Sequence, residues 1–334
     1  MNPHGWIILD KPLGLGSTQA VGAAKRILRD AGFGKVKVGH GGTLDPLATG
    51  VLPIAIGEAT KLAGRMLDAS KIYDFTIGFG TETDSLDSEG TVVARSDHRP
   101  TRADVEAVLA QFTGPIEQVP PAYSALKIDG KRAYDRARAG ELVEMKPRAV
   151  DIYSLKIRHP ETVAGSRVTT PDKLKHLQDG ALFNEITLTA YVSKGTYIRS
   201  LARDIARALG TVGHVTMLRR TKAGPFTLKQ AISLDKLNEI GQGAPIESLL
   251  LPLEAALDDI PAVRLLSRQA GQMRSGQKLA ATDIAGCPTE DGRFLALDEH
   301  GFPLALAERS DDLVIVVRGF NIATHDVRRK TNDD

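Results

Sequence analysis

The residues best placed to do chemistry lie in the run Gly39-His40-Gly41-Gly42-Thr43-Leu44-Asp45-Pro46-Leu47-Ala48-Thr49-Gly50. Glycines at 39, 41 and 42 permit backbone shapes and close approaches that a Cβ blocks. Pro46 pushes Asp45 away from helical geometry into an extended conformation. A carboxylate is therefore held on a shaped loop, with His40 five residues before it. The same Asp-Pro pair also reads as a simple turn cap.

Two further stretches carry charge in a pattern. In Lys194-Gly195-Thr196-Tyr197-Ile198-Arg199 a strand ends, a glycine turns the chain and a helix opens with Tyr197 and Arg199 in its first turn. Arg199, Arg203 and Arg207 recur every four residues as a basic ridge. From Lys194 to Lys222 seven Lys/Arg stand against one acid, Asp204, a local charge of +6. The ridge suits an anionic partner, and equally a solvated helix face. In the third stretch, Pro120-Pro121-Ala122-Tyr123-Ser124-Ala125-Leu126-Lys127 is followed by Lys131, Arg132, Arg136 and Arg138, with Tyr134 among them. Basic groups for phosphates and aromatic groups for stacking fit loop or single-strand RNA. A surface hairpin has the same composition.

Other chemistries are excluded. Gly14-Leu15-Gly16 lacks the third glycine of a dinucleotide fingerprint, since position 19 is Gln19. There is no Walker A sequence, and the eight histidines form no metal-ligand spacing. Asp84-Ser85-Leu86-Asp87-Ser88-Glu89-Gly90 has calcium-like composition without EF-hand spacing, and reads as an acidic turn between strands. The single cysteine, Cys287, rules out an intramolecular disulfide and a cysteine metal cluster. No cofactor and no metal are expected.

The elements that must position these residues follow from periodicity. Trp6–Leu9 reads as a buried strand. Ser17 is placed to cap a helix whose apolar stripe is Ala20, Val21, Ala24, Ile27, Leu28 and Ala31. Val51–Ile56 reads as a strand and Ala59–Leu67 as a helix. Tyr73, Phe75, Ile77 and Phe79 alternate with smaller or polar residues as in a half-buried strand. Thr101 and Asp104 form a capping box before the helix Val105–Phe112. Ile186, Leu188, Ala190 and Val192 alternate again and lead into a helix striped by Ile198, Leu201, Ala202, Ile205 and Leu209. Beyond about residue 255 short β-like runs take over: Phe294–Leu297, Leu304–Ala307 and Leu313–Val317.

The chain has 334 residues, 42% hydrophobic and 25% charged, enough for about two domains. Lys+Arg minus Asp+Glu, 43 − 41, gives a net charge of +2, which by itself points to no polyanionic partner. The longest early apolar run is the four residues Trp6–Leu9, too short for a signal-peptide core, and no stretch of about 20 apolar residues appears. A cytoplasmic location is expected.

Taken together the stretches resemble the TruB family of tRNA pseudouridine synthases. The likeness rests on Gly39–Gly50 continuing through Val51-Leu52-Pro53-Ile54-Ala55-Ile56-Gly57-Glu58-Ala59-Thr60-Lys61. Lys11-Pro12-x-Gly14, Tyr73, Thr83-Asp84-x-x-Asp87-x-x-Gly90, Pro120–Lys127, Lys194–Leu201, His214 and Leu218-Arg219-Arg220 reinforce it over about residues 5–235. Two departures stand out: Gly16 replaces a usual threonine or serine, and residues 159–184 look inserted.

The resemblance implies an α+β pseudouridine synthase fold, with a mixed, mostly antiparallel sheet flanked by helices and a small C-terminal β-rich PUA-like domain. The implied domains are a catalytic one over 1–250, with an RNA-gripping insertion at about 120–153, a C-terminal one over 255–323, and a polar tail at 324–334. It implies isomerisation of uridine 55 in the T-loop of tRNA, with Asp45 as nucleophile toward ribose C1′ or uracil C6. Arg199 would pair with Asp45, Tyr73 would stack on the extruded base, and Tyr197 would cover its other side. His40, Leu218, Lys11, Arg219 and Arg220 would bind substrate. The implied partner is the T-arm of tRNA, with no membrane and no obligatory protein partner, and the enzyme would be monomeric. A tRNA-folding chaperone and the catalytic subunit of an RNA-guided particle are the competing readings.

Overall fold

The computed structural model describes residues 2–124, 126–128, 130–141, 144–158, 181–243 and 245–322. Most of the 159–184 stretch and the whole 324–334 tail therefore lie outside the described residues. The chain divides into two compact units, Met1–Asp45 with Val51–Leu67 and Gly224–Asp334, and Pro46–Gly50 with Asp68–Ala223. It passes from the first unit to the second at the Asp45–Pro46 bond and returns after Gly50.

The first unit opens with strand β1 (Gly5–Lys11), whose apolar residues Trp6–Leu9 are fully buried. Helix α1 (Ser17–Asp30) buries the predicted stripe through Leu28, whereas Ala31 is the C-cap and only partly buried. Its N-cap is Gly16, whose N–H is met by the Gln19 side chain at 2.8 Å, so Ser17 is not the cap that the sequence suggests. The Ser17 hydroxyl is engaged elsewhere, with the backbone of Leu44. Strand β2 (Val38–His40) lies antiparallel to β3 (Ala48–Ile56), with His40 opposite Ile54. The helix expected over 59–67 is instead a 3-10 segment, Gly57–Leu62, that runs into α2 (Ala63–Asp68).

The second unit is built on a sheet. Its strands are β4 (Lys71–Phe79), β7 (Gly114–Gln118), β10 (Arg148–Ile157), β11 (Glu185–Val192) and β12 (Gly213–Ala223), in the order β12-β4-β11-β10-β7, all antiparallel neighbours. The first residues of β3 run parallel to β12, Ala48 opposite Leu218 and Gly50 opposite Arg220. Phe75 and Ile77 of β4, Leu188 and Ala190 of β11, and residues of α3 (Arg102–Leu109) and α5 (Ile198–Ala208) form one core. The capping box of α3 is present: Asp104 N–H donates to Thr101 Oγ1 at 3.2 Å and Thr101 N–H to Asp104 Oδ2 at 2.8 Å. Strands β5 (Thr81–Thr83) and β6 (Val92–Arg95) bracket the acidic turn. The basic arm holds a short hairpin, β8 (Lys127–Ile128) and β9 (Lys131–Arg132), followed by α4 (Ala133–Arg138). Because β10 begins at Arg148, the end of the 120–153 stretch is sheet strand.

The remainder of the first unit comprises β13 (Phe226–Thr227), α6 (Leu234–Gly241) and a β-rich C-terminal region. Trp6 is fixed here by an indole N–H donated to Leu253 O at 3.0 Å and by a tilted stack on Phe226, centroids 5.4 Å apart. Strands β14 (Ala262–Arg264), β15 (Leu279–Ala280), β16 (Gly292–Leu297), β17 (Pro303–Ser310) and β18 (Leu313–Gly319) form a five-stranded sheet in the order β14-β16-β17-β18-β15. With α7 (Ser267–Arg274) they enclose their own core of Val263, Met273, Phe294, Leu304 and Val314. The mixed, mostly antiparallel architecture with a β-rich C-terminal region is the expected fold class.

At Gly50 the strand pairing depends on a missing side chain. Its φ is +100°, and an added Cβ would lie 2.2 Å from the carbonyl oxygen of Arg220 on the paired strand. Gly50→Ala is expected to lower unfolding free energy by about 2–3 kcal/mol, read from urea denaturation midpoints. An unchanged midpoint would contradict this register.

Candidate functional site

The loop before Asp45 is tied down residue by residue. Gly41 N–H donates to Pro53 O at 2.8 Å, and a Cβ there would come within 2.6 Å of Met66 Cβ. Gly42 has φ +132° and its N–H reaches His40 Nδ1 at 3.4 Å. Gly39 has neither constraint, so two of the three glycines named from the sequence are required by the fold. Leu44 is 3% exposed, and Ser17 Oγ binds both its N–H, at 2.8 Å, and its carbonyl, at 2.9 Å. Lys11 is fully buried and its ammonium donates to Leu15 O at 2.6 Å and Pro12 O at 3.1 Å. Its place is therefore inside the turn that precedes α1.

In the second unit, Pro46–Gly50 carries the chain from Asp45 onto β12. Ala48 stands opposite Leu218, and three residues of chain span at most about 10 Å. Thr49 Oγ1 accepts from Arg219 Nη1 at 3.3 Å. Tyr73 and Leu218 are half-buried against the core of this unit. Tyr73 lies opposite Arg220 on one side and Ala190 on the other. Arg220 is 1% exposed, unlike the half-buried Arg219. Burial first, and then the Arg220 guanidinium, pull the Lys71 ammonium from 10.5 down to about 8. Tyr197 is the N-cap of α5, and its N–H donates to Gln118 Oε1 at 2.8 Å.

Arg199 is the most elaborately held side chain. It is buried; Nη1 lies 3.2 Å from Asp87 Oδ2 and donates to Ser85 O at 2.8 Å, while Nη2 donates to Tyr123 O at 2.9 Å. Asp87 is fixed in turn by Ser85 Oγ at 2.6 Å and by Glu89 N–H at 3.1 Å. Asp84 accepts from Thr91 N–H at 2.9 Å and from Tyr123 OH at 3.3 Å. Burial, with the Asp84 carboxylate second, pushes the Tyr123 phenol above its ordinary value, so it remains a donor. The acidic turn thus has a structural assignment: it supplies the counter-charge of Arg199 and anchors the start of the basic arm. Sequence reasoning gave Asp87 no role, because its partner lies 112 positions away; the only signal was its place in Thr83-Asp84-x-x-Asp87-x-x-Gly90.

The basic ridge needs correcting on the same grounds. Arg203 pairs with Asp204 at 2.8 Å and Arg207 with Glu82 at 2.7 Å. All three arginines of the ridge meet carboxylates; Arg199 is buried, while Arg207 keeps more than half of its side chain exposed, so the ridge is a paired and partly solvated helix face. In the arm, Arg136 pairs with Glu141 at 2.7 Å and Arg138 sits 5.5 Å over the Tyr134 ring. Among the described residues no group of acids, histidines and cysteine is arranged to hold a metal ion, and no helix is long and apolar enough to cross a membrane.

Comparison with known proteins gives a consistent result. A family model described as TruB family pseudouridylate synthase (N terminal domain) matches residues 25–198. A second, tRNA pseudouridylate synthase B C-terminal domain, matches residues 199–258. Two relatives named tRNA pseudouridine synthase B, from Novosphingobium aromaticivorans and Zymomonas mobilis subsp. mobilis, are 63% and 55% identical over 318 residues. Both alignments cover 95% of this chain, and 97% and 96% of those proteins. Among solved structures, a chain of an H/ACA RNP bound to a substrate RNA containing 2'-deoxyuridine superposes with a TM-score of 0.68 at 23% identity. That match covers 96% of this chain and 86% of the other, and shows a shared fold.

Two measurements test the electrostatics of the second unit. Asp87→Ala leaves the buried Arg199 without this carboxylate and is expected to lower unfolding free energy by about 3 kcal/mol, read by urea denaturation. A loss below about 0.5 kcal/mol would mean that the pair carries no buried charge. Lys71 holds fewer protons folded than unfolded between about pH 8 and 10.5, so its contribution to stability grows as pH rises through that window and is lost as pH falls through 8. The wild-type chain should gain stability from pH 7.5 to 9.5 relative to Lys71→Met; parallel pH curves would contradict the shift.

Proposed function

The chain belongs to the TruB family of pseudouridylate synthases, and on that premise we propose that it isomerises uridine 55 in the T-loop of tRNA to pseudouridine. It acts as a monomer in the cytoplasm, on the tRNA T-arm, without an obligatory protein partner. In this reaction the N1–C1′ bond breaks, uracil rotates, C5 bonds to C1′, the C5 proton leaves and N1 gains one. Nothing is oxidised and no phosphate moves, so the side chains of the site carry the chemistry without a cofactor.

The observation that supports this reading most is the setting of Asp45. Its loop has glycines that the packing requires, a buried leucine before it held at both backbone groups, and a proline after it. Asp45 is the nucleophile, toward C1′ or C6 of the uridine. Arg199, fixed by Asp87, is read as the partner of Asp45 that sets its direction. Tyr73 stacks on the extruded uracil, Tyr197 covers its other side and assists removal of the C5 proton, and Leu218 adds apolar wall; these contacts offset an unstacking cost of a few kcal/mol. His40 contacts the RNA where the base has left, and Arg219 contacts the RNA backbone. Lys11 and Arg220 complete the substrate-binding residues of this reading; both are buried, and Lys11 holds the carbonyls of Pro12 and Leu15.

The catalytic domain is read as residues 1–250 and the C-terminal, PUA-like domain as 255–323, with the arm at about 120–153 gripping RNA. The chaperone reading rests on the basic ridge and the C-terminal domain; the three arginines of the ridge on α5 meet acids, and tRNA refolding by wild type and Asp45→Asn separates it from the enzyme reading. The arm argues against a guide-RNA-dependent subunit. Incubation of the purified chain with an unmodified tRNA transcript, without other RNA or protein, should give pseudouridine at position 55. Asp45→Asn should abolish turnover while tRNA affinity stays within several-fold. Turnover by that variant at the wild-type rate would overturn the assignment of the nucleophile.

A further inference from the structure

We infer that Ser17 is a positioning residue for Asp45, acting through the backbone of Leu44; this rests on the reading of Asp45 as the nucleophile. Ser17 is the first residue of α1, yet its hydroxyl takes no part in capping that helix, because Gly16 is the N-cap. Instead one oxygen atom satisfies both main-chain groups of a residue 27 positions away: Ser17 Oγ accepts from Leu44 N–H at 2.8 Å and donates to Leu44 O at 2.9 Å. A serine hydroxyl has one donor and two acceptor sites, so both bonds form at once. Ser17 and Leu44 are 4% and 3% exposed, and water does not replace the hydroxyl in that setting.

The consequence for Asp45 follows from peptide planarity. The Leu44 carbonyl and the Asp45 N–H belong to one amide, so holding Leu44 O in place holds the plane on which the Asp45 Cα lies. On the other side Pro46 confines Asp45 to extended backbone. Gly41 and Gly42 are already fixed by Pro53 and His40. The remaining freedom of the Asp45 carboxylate is largely in its own side-chain torsions. Without the Ser17 hydroxyl, two buried backbone groups lose their partner and the Leu44–Asp45 amide is free to rotate toward another one. A displacement of about 1 Å at a reacting group lowers rate on the order of a hundred-fold. A serine at 17 matters here for orientation as well as for folding.

The test uses single-turnover conversion of tRNA at saturating enzyme, which reports the bound complex and is insensitive to the fraction of folded protein. Ser17→Ala should slow this rate by about ten- to a hundred-fold, with tRNA affinity unchanged within about three-fold. Ser17→Thr keeps the hydroxyl and should restore the rate to within about three-fold of wild type. Ser17→Cys, which keeps the volume with a weak donor, should fall between and serves where the alanine variant does not fold. A single-turnover rate for Ser17→Ala or Ser17→Cys equal to wild type overturns the inference, as does a threonine variant as slow as alanine. Asp45→Asn is measured beside them. If it turns over normally, the nucleophile reading fails; if it is inactive while Ser17→Ala is as fast as wild type, this inference alone fails.

Discussion

The arrangement of the second unit depends on one buried charge. A guanidinium taken out of water is tolerated only where its charge and donors are met, since an unmatched ion in the interior costs several kcal/mol. Arg199 is met by Asp87, by the carbonyl of Ser85 and by the carbonyl of Tyr123. These partners come from two separate segments. Asp87 must come from a turn tight enough to place Leu86 at φ 63°, and its backbone bridges to Val215 on β12. Tyr123 must come from the start of the arm. Satisfying Arg199 therefore fixes two segments that are far apart in sequence, and α5 is the element against which they are registered.

The same pairing explains the overall charge. A net charge of +2 conceals a stretch of −6 over residues 74–117 and one of +6 over 194–222. These are not merely compensating totals. Glu82 and Asp87 from the acidic stretch meet Arg207 and Arg199 from the basic one. The two stretches attract locally, while Arg207 keeps more than half of its side chain exposed at the far end of α5.

Elements governed by local periodicity were legible in the sequence. The alternation of Tyr73–Phe79 and Ile186–Val192, the stripe of α1 and the Thr101–Asp104 box all correspond to what forms, because each depends on neighbours within a turn or a strand. The glycine-rich loop was legible in outline, though Gly39 turned out to be unconstrained. Features set by distant partners were not legible. Ser17 looks like an N-cap because helix starts select serine, but its hydroxyl is claimed by Leu44. Asp87 looks like turn chemistry because its neighbours are polar; only the topology brings it to Arg199. Residue type and spacing identify a candidate carboxylate, while the groups that orient and balance it depend on the tertiary fold.

Orientation is also why the neighbourhood of Arg199 is polar when an apolar one would be more stable. Hydrophobic burial is non-directional and fixes where elements lie; it does not fix the direction in which a guanidinium or an amide points. Hydrogen bonds do, at the cost of burying polar groups that all need partners. Thr83, Ser85, Asp87, Gln118, Ser124, Arg199 and Ser200 are buried polar residues of this one region. The matching is incomplete: Gln118 Nε2 and Ser124 Oγ have no hydrogen-bond partner among the described residues. Gln118 ends β7 and Ser124 lies at the start of the arm, and the stretch between them receives bonds from Ser200 and Arg203 at Val119 and from Arg199 at Tyr123. A core selected for stability alone would replace such groups with apolar ones of similar size. Their retention beside Tyr197 and Arg199 is the pattern of a region selected for geometry, where local violations of polar matching are carried by the stability of the surrounding sheet.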